Sequence, residues 1–200
     1  MKGLKRWIYK ILWITLPIYF SEAVFFSSEI TKKRVLKITS FNRKPNFVAG
    51  LCSNLEFKNP EYKRKAGKPY ILHIGTAAHK NLLTVIKSIE KIECKLLIVG
   101  ELTESDCSYL KDKEIDFENF ININKNELEA LYVKADLITF PSLHEGFGLP
   151  IIEGQASQTP VITSNFSPML EVAGKGAILI NPLDVNAMKD LERIRLLFED

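Results

Sequence analysis

The chain has 200 residues, of which 46% are hydrophobic and 26% are charged, and this composition indicates a globular protein with enough chain to bury a substantial core. A formal net charge of only +3 does not favour nucleic-acid binding. The three cysteines (Cys52, Cys94 and Cys107) are odd in number and form no C-x-x-C motif, so neither a disulfide framework nor a zinc site is predicted. We therefore expect a reduced, cytoplasmic protein.

The amino-terminal segment combines basic residues with a short apolar run over residues 11–20, which Pro17 interrupts. The basic residues are Lys2, Lys5, Arg6 and Lys10. Signal peptides have a similar layout, but ten residues are too few to cross a bilayer as a helix. Three interpretations stay open: a signal peptide, a helix at a membrane surface, and a helix that packs inside a larger protein. We expect the segment to stay attached.

Residues 44–68 are predicted to be a linker. A short strand is predicted at residues 47–51 and a turn at residues 54–57. The charged stretch over residues 58–69 contains two prolines and one glycine, and such a composition favours a loop.

From residue 69 onward, apolar strands alternate with helical patterns. Strands are predicted at residues 70–75, 94–99, 115–121, 136–140, 160–163 and 177–180. Helices are predicted at residues 82–89, 103–113, 125–135 and 169–173, and from residues 149 and 184 onward. Such alternation predicts an α/β fold with a doubly wound parallel sheet, covered on both faces. Ligands bind such sheets beyond the carboxyl ends of the strands, where Gly75 and Pro141 lie.

The most informative stretch follows the strand that ends at Pro141. A loop with two glycines leads into a helix that opens at Leu149 and Pro150, and proline suits a first helical turn. Glycines let the backbone approach a ligand, and the N–H groups of a helix start attract anions. Glu145 in the loop and Glu153 in the helix, with seven residues between them, flank this predicted phosphate site. A glycosidase acid–base pair is an alternative, but the strand, glycine loop and helix favour a nucleotide.

This stretch resembles the donor-site motif of the retaining glycosyltransferases of the GT-B fold, glycosyl transferases group 1. The resemblance rests on Glu-Gly-Phe-Gly-Leu-Pro from Glu145, then Glu153, Thr-Pro-Val-Ile-Thr-Ser at residues 159–164 and Glu-Val-Ala-Gly at residues 171–174. It covers residues 70–186 and, more loosely, residues 18–36. It implies that residues 1–68 are a remnant of an acceptor-side domain with its linker. Residues 69–200 would form a Rossmann-like domain that binds a nucleotide-sugar donor.

The resemblance also implies a role for each matching residue. Lys80 and the backbone of the glycine loop would hold the diphosphate, and Glu153 would accept hydrogen bonds from the ribose. Glu145 would be catalytic, because it would contact the donor sugar and stabilise charge near the anomeric carbon. The donor-binding set is Gly75, Lys80, Glu145, Gly146, Phe147, Gly148, Leu149 and Glu153. No metal or cofactor is expected, since GT-B enzymes need none and the sequence has no Asp-x-Asp.

Other residues near this motif have more than one interpretation. His73 is predicted to be a packed core residue, while His79 and His144 are loop residues near the cleft with a structural role favoured. Thr76 stands where the family commonly has an arginine, so one of two expected cations is missing. Phe147 either packs beneath the motif or lines the site.

The implied function is transfer of a sugar from a nucleoside-diphosphate donor to a saccharide or lipid-linked acceptor, with retention. The alternative is a nucleotide-sugar-binding subunit without activity, or an inactive remnant. A dehydrogenase is disfavoured because no G-x-G-x-x-G follows the first strand. An acceptor domain needs on the order of 100–150 residues. Fewer than seventy precede the first regular strand, so we expect transfer to require a second polypeptide.

Overall fold

The computed structural model describes residues 2–39, 44–57 and 67–184. Its internal contacts divide the chain into two compact units, Met1–Leu51 and Cys52–Asp200, which we call unit 1 and unit 2. Residues 52–57 belong to unit 2, although the sequence assigns them to the linker. Most of the predicted loop at residues 58–69 and the helix predicted from residue 184 lie outside the described residues.

Unit 1 begins with a helical run that changes its hydrogen-bond pattern in the middle. The run consists of α1 (Lys2–Lys10), a π-helical segment (Ile11–Thr15) and α2 (Leu16–Phe20). Pro17 lies in the first turn of α2, where its missing N–H cannot continue the bonds of the preceding turn. Prolines and π-helical segments are both among the usual causes of a kink in a helix.

The rest of unit 1 is a helix between two short parallel strands, β1 (Val24–Phe26), α3 (Glu29–Ile38) and β2 (Asn46–Val48). Ser28 caps α3, because its side chain accepts a hydrogen bond from the backbone N–H of Thr31. The strand predicted at residues 47–51 starts one residue earlier and ends at Val48. No helix in the described ranges is long and apolar enough to cross a membrane.

Unit 2 is built on a six-stranded parallel sheet, as the alternating pattern predicts. The strands are β3 (Tyr70–Ile74), β4 (Lys95–Val99), β5 (Asp116–Phe120), β6 (Leu137–Phe140), β7 (Val161–Ser164) and β8 (Ile178–Ile180). Their order across the sheet is β5-β4-β3-β6-β7-β8. The direction of winding therefore reverses between β3 and β6, whose register pairs His73 with Thr139.

The helices of unit 2 begin close to their predicted positions. They are α4 (Leu82–Ile89), α5 (Glu104–Asp112), α6 (Lys125–Lys134), α7 (Leu149–Ala156) and α8 (Met169–Ala173). Asn124 with Glu127 forms a capping box at the start of α6, and Thr103 with Asp106 forms a second one at the start of α5. Pro150 occupies the first turn of α7, also as predicted.

Apolar side chains cover both faces of the sheet. On one face, α4 and α5 pack on the strands through buried residues such as Val85, Ile86 and Leu110. On the other, α6, α7 and α8 do so through residues such as Leu131 and Ile151. Burial on both faces explains why the strands are almost continuously apolar.

Candidate functional site

The carboxyl ends of β3 and β6 lie side by side at the point where the winding reverses. In doubly wound sheets this is where the connecting segments leave toward opposite faces and open a crevice for a ligand. Gly75 follows β3 directly and Pro141 follows β6 directly, so both positions predicted from the sequence lie at this edge. The candidate site is built on the two segments that start there.

The loop after β3 brings Lys80 back over the backbone. Gly75 has a φ of 91°, and a Cβ added there would lie 3.0 Å from both Cγ and Cε of Lys80. Only glycine therefore combines this conformation with the close passage of the lysine stem. Lys80 itself ends a 3₁₀ turn (Ala78–Lys80) just before α4.

Lys80 meets Glu145 of the second loop. Its Nζ donates to Glu145 Oε1 at 2.7 Å, and the two side chains are only 19% and 15% exposed. The same Nζ lies 4.6 Å from the ring centroid of Phe140. The loops are also joined by a backbone bond from Leu143 N to His79 O at 2.8 Å. The structure thus unites two residues that the sequence assigns to one site, and the ion pair is largely shielded from water.

The three histidines divide into a core residue and a pair at the site. His73 is fully buried, as predicted, and its Nδ1 lies 3.3 Å from Thr139 Oγ1. Burial lowers the pKa of His73 to about 4, so its ring is neutral at pH 7. The rings of His79 and His144 lie 4.8 Å apart, and His79 Nε2 is 3.8 Å from Glu145 Oε1. His79 and His144 therefore border the ion pair.

The amino-terminal end of α7 has the geometry expected of an anion site. Gly148 caps the helix with a φ of 116°, and its Cβ would lie 3.1 Å from Ile151 Cδ1. Within residues 67–184, no acceptor is bonded to the backbone N–H groups of Phe147, Gly148 or Leu149. These donors, with the positive end of the helix dipole, can receive a phosphate. Phe147 is partly buried and Gly146 is exposed.

Glu153 lies one turn into α7 and is only 8% exposed. Both of its carboxylate oxygens accept hydrogen bonds from hydroxyl groups. Tyr132 of α6 donates to Oε2 at 2.6 Å, and Ser53 donates to Oε1 at 2.9 Å. The two glutamates of the motif therefore have different partners: Glu145 pairs with a cation, and Glu153 is held by neutral hydroxyls.

Three residues of this region are not among the site residues predicted from the sequence. Tyr132 is a buried residue of α6, and its only signal in the sequence is a hydroxyl-bearing ring among aliphatic residues. Asn81 has a φ of 64°, and its Nδ2 donates to the carbonyls of Pro141 at 3.2 Å and Pro182 at 2.7 Å. It thereby ties together the segments that follow β3, β6 and β8. For Ser53, which lies in a segment without periodicity, the sequence offered no signal.

The Thr76 hydroxyl donates to the carbonyl of Glu101 at 2.6 Å, so this side chain is tied to the segment that follows β4. Among the described residues, no group of three or more histidine, cysteine, aspartate or glutamate side chains has a geometry that could hold a metal ion. The three cysteines are free thiols.

The chain is similar to known proteins in sequence and in fold. The family model for glycosyl transferases group 1 matches residues 55–200. The O-antigen chain mannosyltransferase RfbU of Salmonella typhimurium is 35% identical over 150 residues, which are 68% of this chain and 42% of that protein. The chain thus spans less than half the length of this curated relative.

Solved structures share the fold at lower identity. A sucrose-phosphate synthase from Thermosynechococcus elongatus superposes with a TM-score of 0.75 and 19% identity, covering 92% of this chain and 52% of that one. A point mutant of S. aureus TarM, in complex with fondaparinux, alpha-GlcNAc-glycerol and UDP, superposes with a TM-score of 0.72 and 18% identity. That match covers 90% of this chain and 37% of TarM.

Proposed function

The chain belongs to the glycosyl transferases group 1 family, and from this premise we propose that it binds a nucleoside-diphosphate sugar as the donor of a glycosyl transfer. The donor would lie in the crevice between the carboxyl ends of β3 and β6. The observation that carries the proposal is the shielded Lys80–Glu145 pair, which lies where the loop leading to α7 meets the segment after β3.

The diphosphate is the part of the donor for which the chain offers the clearest complement. The N–H groups at the start of α7 supply oriented donors, and the Lys80 ammonium supplies a cation. An ammonium has three donors, and the bond to Glu145 uses one of them. Charge-assisted hydrogen bonds of this kind are roughly twice as strong as neutral ones. We propose that these groups hold the diphosphate of the sugar nucleotide without a metal ion.

The two glutamates suit opposite ends of the donor. Glu153, held by hydroxyl donors, would accept hydrogen bonds from the ribose. Glu145 lies next to Lys80, the cation proposed to bind the diphosphate, and would face the sugar. There it would stabilise the positive charge that develops at the anomeric carbon. We propose that the transfer retains the configuration of that carbon. A preorganised charge in a shielded site stabilises a transition state because it needs no reorganisation.

The relatives favour a particular class of donor and acceptor. RfbU is named as an O-antigen chain mannosyltransferase, so we propose a hexose, with mannose the first to test, and a growing saccharide or lipid-linked acceptor in polysaccharide biosynthesis. The UDP of the TarM structure supports a nucleoside diphosphate as the leaving group. We propose that the reaction takes place in the cytoplasm, where sugar nucleotides are made.

Calorimetric titration with UDP and GDP, and then with their hexose conjugates, tests the proposal. Wild-type protein should bind one nucleoside diphosphate. Glu153→Gln should weaken binding of the free diphosphate, because an amide is a weaker acceptor than a carboxylate. Glu145→Gln should leave that affinity unchanged and reduce the additional affinity for the intact sugar nucleotide.

A matched control comes from the outer strand β5. Glu118 pairs with Lys95 at 2.6 Å, so Glu118→Gln removes a similar ion pair far along the sheet from the crevice and should change neither affinity. If Glu145→Gln weakened binding of the free nucleoside diphosphate and Glu153→Gln did not, the roles proposed for the two glutamates would have to be exchanged. Absence of nucleotide binding by the wild type would overturn the proposal. Binding without transfer to any saccharide acceptor would favour the alternative of a donor-binding subunit.

A further inference from the structure

We propose that Tyr132 and Ser53 are positioning residues that orient the Glu153 carboxylate to receive the vicinal diol of a ribose, and so make the site select ribonucleotides. The inference rests on the proposed donor function and goes beyond it, because neither residue belongs to the motif that predicts the site.

The buried carboxylate of Glu153 needs hydrogen-bond donors that replace its lost hydration. A carboxylate that is only 8% exposed loses most of its hydration, which costs free energy unless other donors replace the water. No lysine, arginine or histidine of the described residues forms an ion pair with it. Two hydroxyl groups take that place, one on each oxygen, from Tyr132 and Ser53.

The hydrogen bonds from the protein leave acceptor positions unfilled on both oxygens of Glu153. An ionised carboxylate offers about four acceptor positions on its two oxygens. The protein fills one position on Oε2 and one on Oε1, so each oxygen keeps one open. Two neighbouring hydroxyl groups on one ring can donate to both oxygens at once, and a ribose carries such a pair.

Both hydroxyl donors are themselves held in place. The Tyr132 side chain is fully buried, and its ring makes an edge contact with Phe57 at 5.9 Å between centroids. The backbone carbonyl of Tyr132 accepts from Thr159 Oγ1 at 3.0 Å. Burial, together with the neighbouring Glu153, raises the pKa of Tyr132 far above its ordinary value, so the phenol remains a donor.

Ser53 is oriented by a second bond. Its Oγ accepts from the backbone N–H of Leu55 at 3.0 Å, which directs the hydroxyl proton toward Glu153. The segment that carries it is anchored to α6, because the N–H of Glu56 donates to Glu129 Oε1 at 2.7 Å. The carboxylate is thus fixed from two sides, by a helix of the Rossmann-like fold and by the segment that precedes it.

A purely structural link between α6 and α7 would explain the same bonds, so the test measures discrimination and not affinity alone. Calorimetry compares whichever of UDP and GDP binds more tightly with its 2′,3′-dideoxy counterpart. Hydrogen bonds to a charged group predict that wild type prefers the ribonucleotide by about tenfold or more. Tyr132→Phe and Ser53→Ala should each reduce this preference several-fold, mainly by weakening ribonucleotide binding.

Tyr109→Phe is the matched control, since the hydroxyl of Tyr109 on α5 donates to Glu90 at 2.8 Å, away from the crevice. It should keep the full preference. Because Ser53 is partly exposed, Ser53→Ala is expected to fold, and it provides the test if Tyr132→Phe does not fold. Equal loss of affinity for both nucleotides, with an unchanged preference, would overturn the positioning role and leave the donor function standing. Failure of wild type to bind either nucleotide would overturn both.

Discussion

The two units of this chain differ in how far their apolar side chains are exposed to solvent. In unit 2 the central strands are buried on both faces, and residues such as Leu97 and Ile98 are wholly inaccessible. In unit 1 the large apolar side chains are mostly exposed: Trp7, Ile8, Tyr9, Leu12, Trp13, Leu16, Tyr19, Phe20, Phe25, Ile38, Phe47 and Val48. A six-stranded sheet covered by helices can enclose a core, whereas a two-stranded sheet with short helical segments cannot.

Unit 2 contains both the large buried core and the candidate site. Every residue of the candidate site belongs to unit 2, whereas unit 1 presents an apolar and basic surface of the kind that marks contact with another surface. The chain also carries separate probes for the two units, since both tryptophans lie in unit 1 and all three histidines in unit 2. The following predictions use this separation.

The largest expected effect is the difference in the free energy of unfolding between a substitution in the core of unit 2 and one at the surface of unit 1. Leu97→Ala removes a fully buried side chain of β4 and should lower the free energy of unfolding of unit 2 by about 2–5 kcal/mol. Trp13→Ala, at a side chain that is 74% exposed, should change stability by no more than about 0.5 kcal/mol. Urea unfolding followed by far-ultraviolet circular dichroism measures both. A comparable loss in Trp13→Ala would show that unit 1 buries this side chain in solution.

The second prediction uses the buried histidine. The pKa of His73 is about 4 in the folded state and about 6.5 when unfolded, so the unfolded chain takes up the proton first as pH falls. Its contribution to stability is therefore present above pH 6.5 and is lost progressively down to pH 4, by about 3 kcal/mol in total. His73→Leu should show a correspondingly smaller loss than wild type over this window in urea unfolding.

Leu83 provides the control for this measurement. Its side chain is exposed and does not titrate, so Leu83→Gln should keep the wild-type dependence on pH. If His73→Leu and wild type lose stability in parallel between pH 6.5 and pH 4, the ring of His73 is not held neutral by burial.

The third prediction concerns ligand binding in unit 2. Lys80→Ala should weaken binding of the nucleoside diphosphate by about 1.5–3 kcal/mol, the usual range for a hydrogen bond to a charged group. Lys87→Ala removes an exposed lysine from α4, and Lys10→Ala removes one from unit 1, so both should bind as wild type does. Equal calorimetric affinities for all four proteins would remove Lys80 from the site.

The smallest effect is expected at the surface of unit 1. Residues 1–21 contain four basic residues and no acidic one, so we predict weak contact with anionic vesicles. Tryptophan emission should shift to shorter wavelength with vesicles that contain phosphatidylserine and stay unchanged with phosphatidylcholine alone. Lys5→Ala should weaken the contact by about 1 kcal/mol, and Lys87→Ala should not. An unchanged emission with both kinds of vesicle would exclude this contact.

Much of unit 2 could be predicted because its signals are local. Alternating apolar strands and amphipathic helices reflect burial that each segment needs on its own, and the capping box at Asn124 is complete within four residues. The same holds for the loop and proline that open α7, so Glu145 and Glu153 were found from their order in the chain. The strand order and the reversal between β3 and β6 were not visible in this way, since they depend on which strands pair.

The sequence by itself determined the class of fold, the family and the identity of the residues around the glycine loop, because these follow from short-range pattern and residue order. Only the tertiary structure decided which of those residues contact one another and which other residues they meet. The approach of Lys80 to Glu145 spans 65 positions, and the bond from Ser53 to Glu153 spans 100. Such pairs leave no periodic trace in the chain, since they arise where separate elements meet. Tyr132 shows the limit most clearly: its spacing marks it as a core residue, and only the tertiary structure shows that its hydroxyl donates to the Glu153 carboxylate.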